Sequence, residues 1–280
     1  MKQRAFSVLG NIAIVNFSDS TSSKEKKVFA KEILEKNKSV KTVLEKSKKF
    51  SGRLRKQKTS WILGEKTKEV MYRENNCEFR FNIDETYFSS RLSNERKEVL
   101  DFVKPTDTVF VMFAGISPFP IVIAKNTKVK KIYSNELNKK ANEYAKINIK
   151  RNKVEDKIEL IPGDIKKVSK KLEKENMKFD LILMTRPNLD EMFLEDALIL
   201  SKNGTRIYYH AFGKIEDEKK IIDEIEKEVN KFGFKMNLLN VKQIGDIAPG
   251  KVRFRIYFEL WKFHPFLAKI KRFFSLVYRK

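Results

Sequence analysis

The chain has 280 residues, 41% of them hydrophobic, which is enough for one large domain or two modest ones with a proper core. It carries 60 lysines and arginines against 37 aspartates and glutamates, a formal net charge of +23 that is typical of proteins binding a polyanion such as nucleic acid or an anionic membrane surface. The single cysteine, Cys77, excludes an internal disulfide and a cysteine-based zinc site, and two histidines argue against a metal centre.

The charge has an alternative interpretation, because lysine and glutamate enrichment also marks heat-adapted proteins. The N-terminus lacks a secretory pattern. The longest apolar run, residues 108–124, is interrupted by glycine, serine and two prolines, so we expect no membrane span. Cysteine usage and the missing leader pattern together favour a cytoplasmic protein.

Residues 1–84 predict a small, basic α+β domain. "FSVLGNIAIVNF" indicates two strands around a turn, and "SSKEKKVFAKEILEKN" indicates a helix capped by Ser22 or Ser23. The following stretch predicts several short strands with turns at Gly52, Gly64 and Asn75-Asn76.

Residues 85–262 alternate strands and helices. A helix over "SNERKEVLDFV" is followed by the strand "DTVFVMFAG" and a helix beginning at "PFPIVIAKNT". Further strands are predicted at "KVKKIYSNEL", "KIELIPGDI", "FDLILMTRP" and "TRIYYHAF", each followed by a helix, one of them "LDEMFLEDALILS". The alternation predicts an α/β fold with a parallel, doubly wound sheet, and the last two strands predict an antiparallel hairpin at its edge.

Residues 263–280, "HPFLAKIKRFFSLVYRK" with the preceding Phe263, form a basic amphipathic tail in which Phe266, Ile270, Phe273 and Val277 share one helical face. Two interpretations are open: a helix packed on the body of the protein, or an arm for RNA or a membrane surface.

Residues at the carboxyl ends of the strands indicate a nucleoside site, because open α/β sheets bind ligands there. Gly115 lies in the small-residue turn after the first strand, and Glu136 follows it by about 20 residues, the spacing at which a carboxylate accepts hydrogen bonds from ribose hydroxyls. Asp164 ends the third strand and can accept from an adenine amino group. A helix cap is the alternative role for either carboxylate.

The terminal hairpin favours S-adenosylmethionine over NAD as the ligand, since methyltransferase sheets usually end in such a pair. The turn "FAGISPF" has one glycine where dinucleotide loops carry two or three, and no phosphate-binding lysine loop is present, which argues against an NTPase.

Several motifs carry a resemblance to one family. "YFSSRLSNERKEV" resembles the "YFSPRLxxER" signature of archaeal and eukaryotic tRNA (guanine-N1)-methyltransferases, which act on the guanosine 3′ of the anticodon. "MFAGISPF", "IYSNELN", "IPGDI", "MTRP" and "IYYHAF" are similar to that family's successive strand motifs, and "GDIAPGKVRFRIYFEL" to its terminal hairpin. The resemblance covers about residues 5–262 and implies a Rossmann-like class I methyltransferase sheet behind a small RNA-binding domain.

The resemblance implies a role for each matching residue. Glu95 is implied as the general base that takes the proton from guanine N1, and Arg55 as the cation that stabilises negative charge at O6. Residues implied to line the S-adenosylmethionine pocket are Arg96, Gly115, Glu136, Leu137, Asp164, Ile165 and Thr185. Residues implied beside the target base are Tyr87, Arg91, Arg186 and Pro187.

The sequence departs from the family pattern at three places. Val111 stands where the family has aspartate, and Ser117 replaces a glycine, so cofactor affinity is where we expect these changes to act. Thr185-Arg186 replaces asparagine-leucine in the motif that faces the target base. This last change is compatible with a second activity of some archaeal relatives, methylation of C7 in the tricyclic wyosine precursor imG-14.

The sequence therefore predicts a monomeric, S-adenosylmethionine-dependent tRNA methyltransferase that binds the anticodon stem-loop and uses no metal. Two alternatives are open. One is a related transferase that moves the aminocarboxypropyl group of the same cofactor in wybutosine synthesis. The other is a non-catalytic RNA-binding pseudoenzyme whose cofactor loop has decayed.

Overall fold

A computed structural model describes residues 6–51, 56–186 and 192–262. Two of the predicted site residues, Arg55 and Pro187, and the predicted tail 263–280 lie outside these ranges. The chain divides into two compact units, Met1–Ile165 and Lys166–Lys280. The predicted boundary between residues 84 and 85 stays a prediction.

The first unit opens with a four-stranded sheet in the order β1-β2-β3-β4, where β2 and β3 are parallel and the other pairs antiparallel. Its strands are β1 (Phe6–Leu9), β2 (Ile12–Val15), β3 (Thr42–Ser51) and β4 (Lys56–Gly64). Helix α1 (Ser23–Lys36) crosses between β2 and β3. Ser22 caps it in a capping box with Glu25, so the predicted cap is confirmed. β3 and β4 are longer than the short strands that we predicted.

A separate two-stranded hairpin follows, formed by β5 (Glu69–Glu74) and β6 (Cys77–Asn82). Its two turn residues, Asn75 and Asn76, have φ values of 45° and 61°. Left-handed backbone at both positions is what a tight hairpin turn requires, and asparagine tolerates it better than most side chains. The predicted turn at this dipeptide is confirmed.

Cys77 is expected to react slowly with thiol reagents in the folded protein. It is buried, and desolvation, with a contribution from the Glu74 carboxylate, raises its pKa from 9.0 to about 11. Near pH 8 the thiolate, which is the nucleophile, is therefore about 100-fold scarcer than in an ordinary thiol. Alkylation by iodoacetamide should be at least that much slower in native buffer than in urea, and equal rates would contradict the burial.

The segment after the hairpin is less regular than the single helix that we predicted over "SNERKEVLDFV". A 3₁₀ turn at Ser90–Leu92 leads into the short helix α2 (Ser93–Glu98), and a second 3₁₀ turn covers Val99–Phe102. The helical segment ends at Phe102, one residue from the predicted end, because the residue before Pro105 is pushed out of the helical region.

Three parallel strands complete the first unit in the order β7-β8-β9. They are β7 (Thr108–Met112), β8 (Lys131–Glu136) and β9 (Ile158–Pro162), with α3 (Pro118–Asn126) and α4 (Lys139–Asn152) between them. Residues 109–112 of β7 are all buried, as expected for a strand covered on both faces. The carboxyl ends of these three parallel strands thus lie at the same edge of the sheet, within the first unit.

The second unit holds four strands in the order β12-β13-β11-β10. Its elements are α5 (Ile165–Lys174, which starts at the last residue of the first unit), β10 (Phe179–Met184), α6 (Leu194–Leu198), β11 (Ser201–Gly213), α7 (Glu218–Lys231), β12 (Phe234–Ala248) and β13 (Lys251–Lys262). β10 and β11 are parallel, whereas β13 is antiparallel to both β11 and β12. The predicted terminal hairpin is confirmed. Within the described residues α6 is only five residues long, shorter than the predicted helix.

Neither helices nor side-chain clusters in the described ranges indicate a membrane span or a metal. No helix there combines the length and hydropathy needed to cross a bilayer. No group of three or more histidine, cysteine, aspartate or glutamate side chains there could hold a metal ion.

Candidate cofactor and base site

The ends of β7, β8 and β9 are joined by main-chain and asparagine hydrogen bonds. Ala114 N–H donates to the Asn135 carbonyl at 2.8 Å, and Gly163 N–H donates to the Glu136 carbonyl at 2.9 Å. The Asn135 amide donates to the carbonyls of Ile161 and Gly163 at 2.8 and 3.1 Å. These hydrogen bonds therefore fix the positions of the three following turns relative to one another.

The turn between β7 and α3 has an unusual backbone. Phe113, Gly115 and Ser117 all have left-handed φ values, 62°, 59° and 63°. A non-glycine residue in this region costs about 1–3 kcal/mol and persists only where surrounding contacts hold it, which is common at ligand sites. Ser117, which replaces the family's glycine, keeps a glycine-like backbone; it is fully buried, and its hydroxyl lies 2.8 Å from that of Ser134.

The Glu136 carboxylate connects this turn to the end of β8. Its Oε2 accepts from Gly115 N–H at 2.8 Å, and its Oε1 accepts from Asn138 N–H at 2.7 Å. A carboxylate offers about four lone-pair sites, so two main-chain bonds leave capacity for ligand hydroxyls. The side chain is half-buried. Glu136 and Gly115, which the sequence analysis related by their spacing, are thus in direct contact.

The other predicted cofactor residues of the first unit lie at the same strand ends. Leu137 follows β8 and is half-buried. Asp164 follows β9 and is half-buried, and Ile165, buried, is the first residue of α5. Val111, another departure from the family pattern, is fully buried inside β7 and pairs with Ser134.

The predicted base and its neighbour are both buried in the first turns of α2. Glu95 is 5% exposed and Arg96 is 1% exposed. Arg96 donates from Nε and Nη2 to the two carboxylate oxygens of Glu74, and from Nη2 to the Ser89 carbonyl at 2.9 Å. The contacts of Arg96 with described residues are thus made inside the protein, and its predicted role in the cofactor pocket stays a prediction.

Of the two predicted substrate residues of the first unit, Tyr87 precedes the 3₁₀ turn before α2 and Arg91 lies within that turn. Tyr87 is half-buried, and its carbonyl would lie 3.4 Å from a Cβ placed on Gly115, so its main chain lies beside the cofactor turn. Arg91 is exposed. In the second unit Thr185 and Arg186 directly follow β10 and are half-buried.

Sequence reasoning missed Asn135 and Asn138 as organisers of this edge. Asn138 caps α4 through Lys140 N–H, and its amide donates to the Glu85 carbonyl at 2.8 Å, which ties the segment before α2 to β8. Both side chains are buried although they are polar. The available signal was two asparagines flanking a strand end within "SNELN", where buried amides must find main-chain partners.

Comparisons with known proteins agree with this arrangement. Residues 70–239 match the family model described as the TRM5/TYW2 methyltransferase domain, and residues 2–67 match that of the TYW2 N-terminal domain. The tRNA (guanine(37)-N(1))-methyltransferase Trm5b of Pyrococcus abyssi is 32% identical over 257 residues, 91% of this chain and 74% of that protein. The tRNA (guanine(37)-N(1))/4-demethylwyosine(37)-methyltransferase Taw22 of Nanoarchaeum equitans is 31% identical over 300 residues, 90% of this chain and 98% of that protein.

Solved structures share the fold over nearly the whole chain. The crystal structure of Pyrococcus abyssi Trm5b has a TM-score of 0.79 at 32% identity, covering 92% of this chain and 75% of that one. A complex of aTrm5 with tRNALeu has a TM-score of 0.79 at 28% identity, covering 91% and 71%. These likenesses confirm the predicted Rossmann-like methyltransferase sheet behind a small α+β domain.

Proposed function

Because the chain belongs to the TRM5/TYW2 methyltransferase family, we propose that it transfers a methyl group from S-adenosylmethionine to N1 of guanosine 37 in tRNA. The observation that carries the proposal is the likeness to Trm5b over 91% of the chain. The buried Glu95 and the Gly115–Glu136 contact lie in one compact unit, which supports their proposed roles as base and cofactor turn.

The strand ends fit S-adenosylmethionine. Glu136 has acceptor capacity left for ribose hydroxyls, and Asp164 at the next strand end can accept from the adenine amino group. A Cβ at Gly115 would lie 3.4 Å from the Tyr87 carbonyl oxygen, so glycine leaves space in the turn at this position. The turn needs no row of glycines, because this cofactor has no pyrophosphate to hold against the main chain.

The protein's residues then act on the target base. Guanine N1 is protonated at neutral pH, and we propose that Glu95 accepts its proton and that Arg55 stabilises the negative charge that develops at O6. When bound, S-adenosylmethionine supplies an electrophilic methyl group on a sulfonium. Tyr87, Arg91, Arg186 and Pro187 are proposed to orient the base, which leaves the anticodon loop to reach the site.

The tRNA is proposed to bind through its anticodon stem-loop. We expect its phosphates to contact exposed lysines on α5 as well as the small basic domain. Helix α5 directly follows Asp164 and exposes five lysines along one side: Lys166, Lys167, Lys170, Lys171 and Lys174. Such a row suits the backbone of a nucleic acid, because lysines spaced along one side of a helix can each neutralise a phosphate. That the protein acts as a monomer stays a prediction.

Replacing Lys167, Lys170 and Lys174 together by glutamine is expected to weaken tRNA binding about tenfold near 0.15 M salt. The slope of log K against log salt should become shallower by about 0.9 for each phosphate that the variant no longer neutralises. Filter binding across a salt series measures both. The matched control replaces Lys219, Lys220 and Lys227 on α7, where lysines are interspersed with carboxylates. Equal effects of the two triple variants would show that only total charge matters.

A second methylation is compatible with the proposal. Taw22, which matches 90% of this chain, is named for activity on 4-demethylwyosine as well as guanosine. We propose that Thr185-Arg186, which departs from the usual motif, accommodates that tricyclic base, imG-14.

The competing function is aminocarboxypropyl transfer from the same cofactor. The observation that favours it is the match of residues 2–67 to the TYW2 N-terminal domain. Against it stands "SSRLSNER", which resembles the methyltransferase signature.

Mass analysis of nucleosides from tRNA incubated with the protein and S-adenosylmethionine separates these functions. A gain of one methyl group on guanosine supports the proposal, and the same gain on imG-14 supports the second activity. The larger aminocarboxypropyl gain on the tricyclic base would overturn methyl transfer as the function. Titration calorimetry that detects no S-adenosylmethionine binding would leave only the RNA-binding pseudoenzyme.

A further inference from the structure

A cluster of three side chains joins the small basic sheet to the open end of the β5–β6 hairpin. Asp84, two residues after β6, accepts from the Thr59 hydroxyl of β4 at 2.7 Å and from Lys68 Nζ through its other carboxylate oxygen. Lys68, the residue before β5, also donates from Nζ to the Thr59 carbonyl at 2.9 Å. Thr59 is buried and the Asp84 side chain is only 17% exposed, so water competes weakly for these bonds.

The turn that carries Asp84 has little conformational freedom. The Asn82 side chain accepts from Asp84 N–H at 3.0 Å, and the Asn82 carbonyl accepts from the hydroxyl and the N–H of Thr86 at 2.9 and 3.1 Å. Ile83 N–H donates to the Lys68 carbonyl at 3.0 Å, which extends the pairing of β5 with β6 by one residue. The Asp84 carboxylate is therefore attached to a main chain that local hydrogen bonds hold in place.

The hairpin that ends in this turn is fixed to α4. Asn148 accepts from Arg80 N–H at 2.7 Å and donates to the Arg80 carbonyl at 3.1 Å. Asn152, one helical turn later, makes the same pair of bonds with Glu78 at 2.9 and 2.7 Å. These amides substitute for a neighbouring strand, because each supplies one donor and one acceptor to the strand edge. Since α4 follows β8, the hairpin is fixed to the same part of the unit as the cofactor turn.

The residue after Asp84 contacts the cofactor edge directly. The Glu85 carbonyl accepts from the Asn138 amide at 2.8 Å, and Asn138 N–H donates to the Glu136 carboxylate at 2.7 Å. The same carboxylate accepts from Gly115 N–H in the turn after β7. Two consecutive residues, Asp84 and Glu85, thus connect β4 to the strand ends that are proposed to hold S-adenosylmethionine.

We propose that Asp84 is a positioning residue for methyl transfer: it holds β4, and with it the small basic sheet, in a fixed relation to the cofactor edge. This deepens the proposed function and rests on it. β4 begins directly after Arg55, the residue proposed to stabilise negative charge at guanine O6. In this arrangement the placement of that cation relative to the methyl donor depends on how β4 is held. Misplacing a group by about 1 Å can cost about 100-fold in rate, so a small shift of β4 is measurable.

Two variants of Asp84 test the role. Asp84→Ala removes both side-chain bonds and is expected to lower the single-turnover rate of methyl transfer about tenfold. Asp84→Asn keeps the shape and an acceptor for the Thr59 hydroxyl but loses the charge that attracts Lys68, so we expect a loss of about threefold. Because the carboxylate is partly exposed, both variants should fold, and thermal unfolding checks this. A folded Asp84→Ala with the wild-type rate would overturn the proposal; if that variant does not fold, Asp84→Asn decides by the same criterion.

Binding separates positioning from a lost ligand contact. The dissociation constant for S-adenosylmethionine should stay within about twofold of the wild type, because the bonds among Glu85, Asn138 and Glu136 remain in both variants. Rates measured with enzyme saturating over tRNA exclude a contribution from weaker tRNA binding. A rise in the S-adenosylmethionine dissociation constant that accounts for the lower rate would overturn the proposal, because Asp84 would then act on cofactor binding.

A double variant tests whether Asp84 acts through the strand that follows Arg55. Arg55→Ala alone is expected to slow methyl transfer, because the proposed cation at O6 is lost. In that background Asp84→Ala should cost about threefold or less, since the cation whose position mattered is absent. A loss of about tenfold in both backgrounds would overturn the proposal, because it would show an effect on stability or folding that is unrelated to Arg55.

Glu45→Gln is the matched control. Glu45 on β3 accepts from Lys26 Nζ at 2.8 and 2.9 Å and is 19% exposed, but this ion pair joins β3 to α1 and does not reach the β5–β6 hairpin. Rate and binding should equal those of the wild type, and a loss as large as that of Asp84→Ala would contradict a specific role of Asp84. If the wild-type protein itself transfers no methyl group, the proposed function has failed. If the wild type is active and Arg55→Ala slows it, but Asp84→Ala matches the wild type, only the positioning role has failed.

Discussion

Glu95→Gln is expected to lower the single-turnover rate of methyl transfer by about 10²–10⁴-fold, the usual contribution of a general base. Glutamine has nearly the same shape, but its amide cannot accept the N1 proton of guanine. Because Glu95 is 5% exposed, solvent has little access to that position and is a poor substitute for the carboxylate. Rapid-quench measurement with saturating enzyme and S-adenosylmethionine gives the rate directly.

Binding distinguishes a missing base from a damaged site. Dissociation constants for tRNA and S-adenosylmethionine should change little in Glu95→Gln, because the charge is needed in the transition state rather than in the ground state. Glu98→Gln, at the end of the same helix, is the matched control and should retain the wild-type rate. Full activity of Glu95→Gln would refute the assignment of the base.

Local sequence patterns predicted the features that are determined by residues close together in the sequence. The Ser22 cap followed from a polar residue before an amphipathic run. The structure adds Glu25 as its capping-box partner. The buried strand β7 followed from "VFVM", four apolar residues in succession. Glu136 followed from its spacing to Gly115, and the structure places the two in a hydrogen bond at 2.8 Å.

The features that local patterns did not predict depend on contacts between residues that are far apart in the sequence. Glu74 and Arg96 are 22 residues apart, and nothing in "YRENN" marks one glutamate as the partner of one arginine in a charge-rich chain. Asn148 and Asn152 looked like ordinary polar positions of a predicted helix. Only the approach of β6 to α4 makes their amides the partners of a strand edge. The same holds for the backbone of Ser117, whose φ of 63° no serine pattern predicts.

Glu136 is expected to determine cofactor affinity in two ways. Its carboxylate accepts from Gly115 and Asn138 main-chain N–H groups, so Glu136→Ala leaves two donors without a partner and releases the turn after β7. Removing a hydrogen bond of this kind costs about 1–3 kcal/mol when it is buried, and less at this half-buried position. Calorimetry should show S-adenosylmethionine binding weakened about tenfold, with a lower melting temperature. Glu159→Gln, an exposed carboxylate on β9, is the control.

Support of the turn and contact with the ribose can be separated with a modified ligand. If Glu136 accepts from the ribose hydroxyls, 2′-deoxy-S-adenosylhomocysteine binds the wild-type protein more weakly than S-adenosylhomocysteine, and this difference disappears in Glu136→Ala. If Glu136 only supports the turn, the deoxy analogue loses the same affinity in both proteins. The second pattern would contradict the ribose contact while leaving the Gly115 bond as the reason for weaker binding. Since both oxygens already accept main-chain N–H groups, the four affinities together show whether the carboxylate also interacts with the 2′-hydroxyl of the ligand.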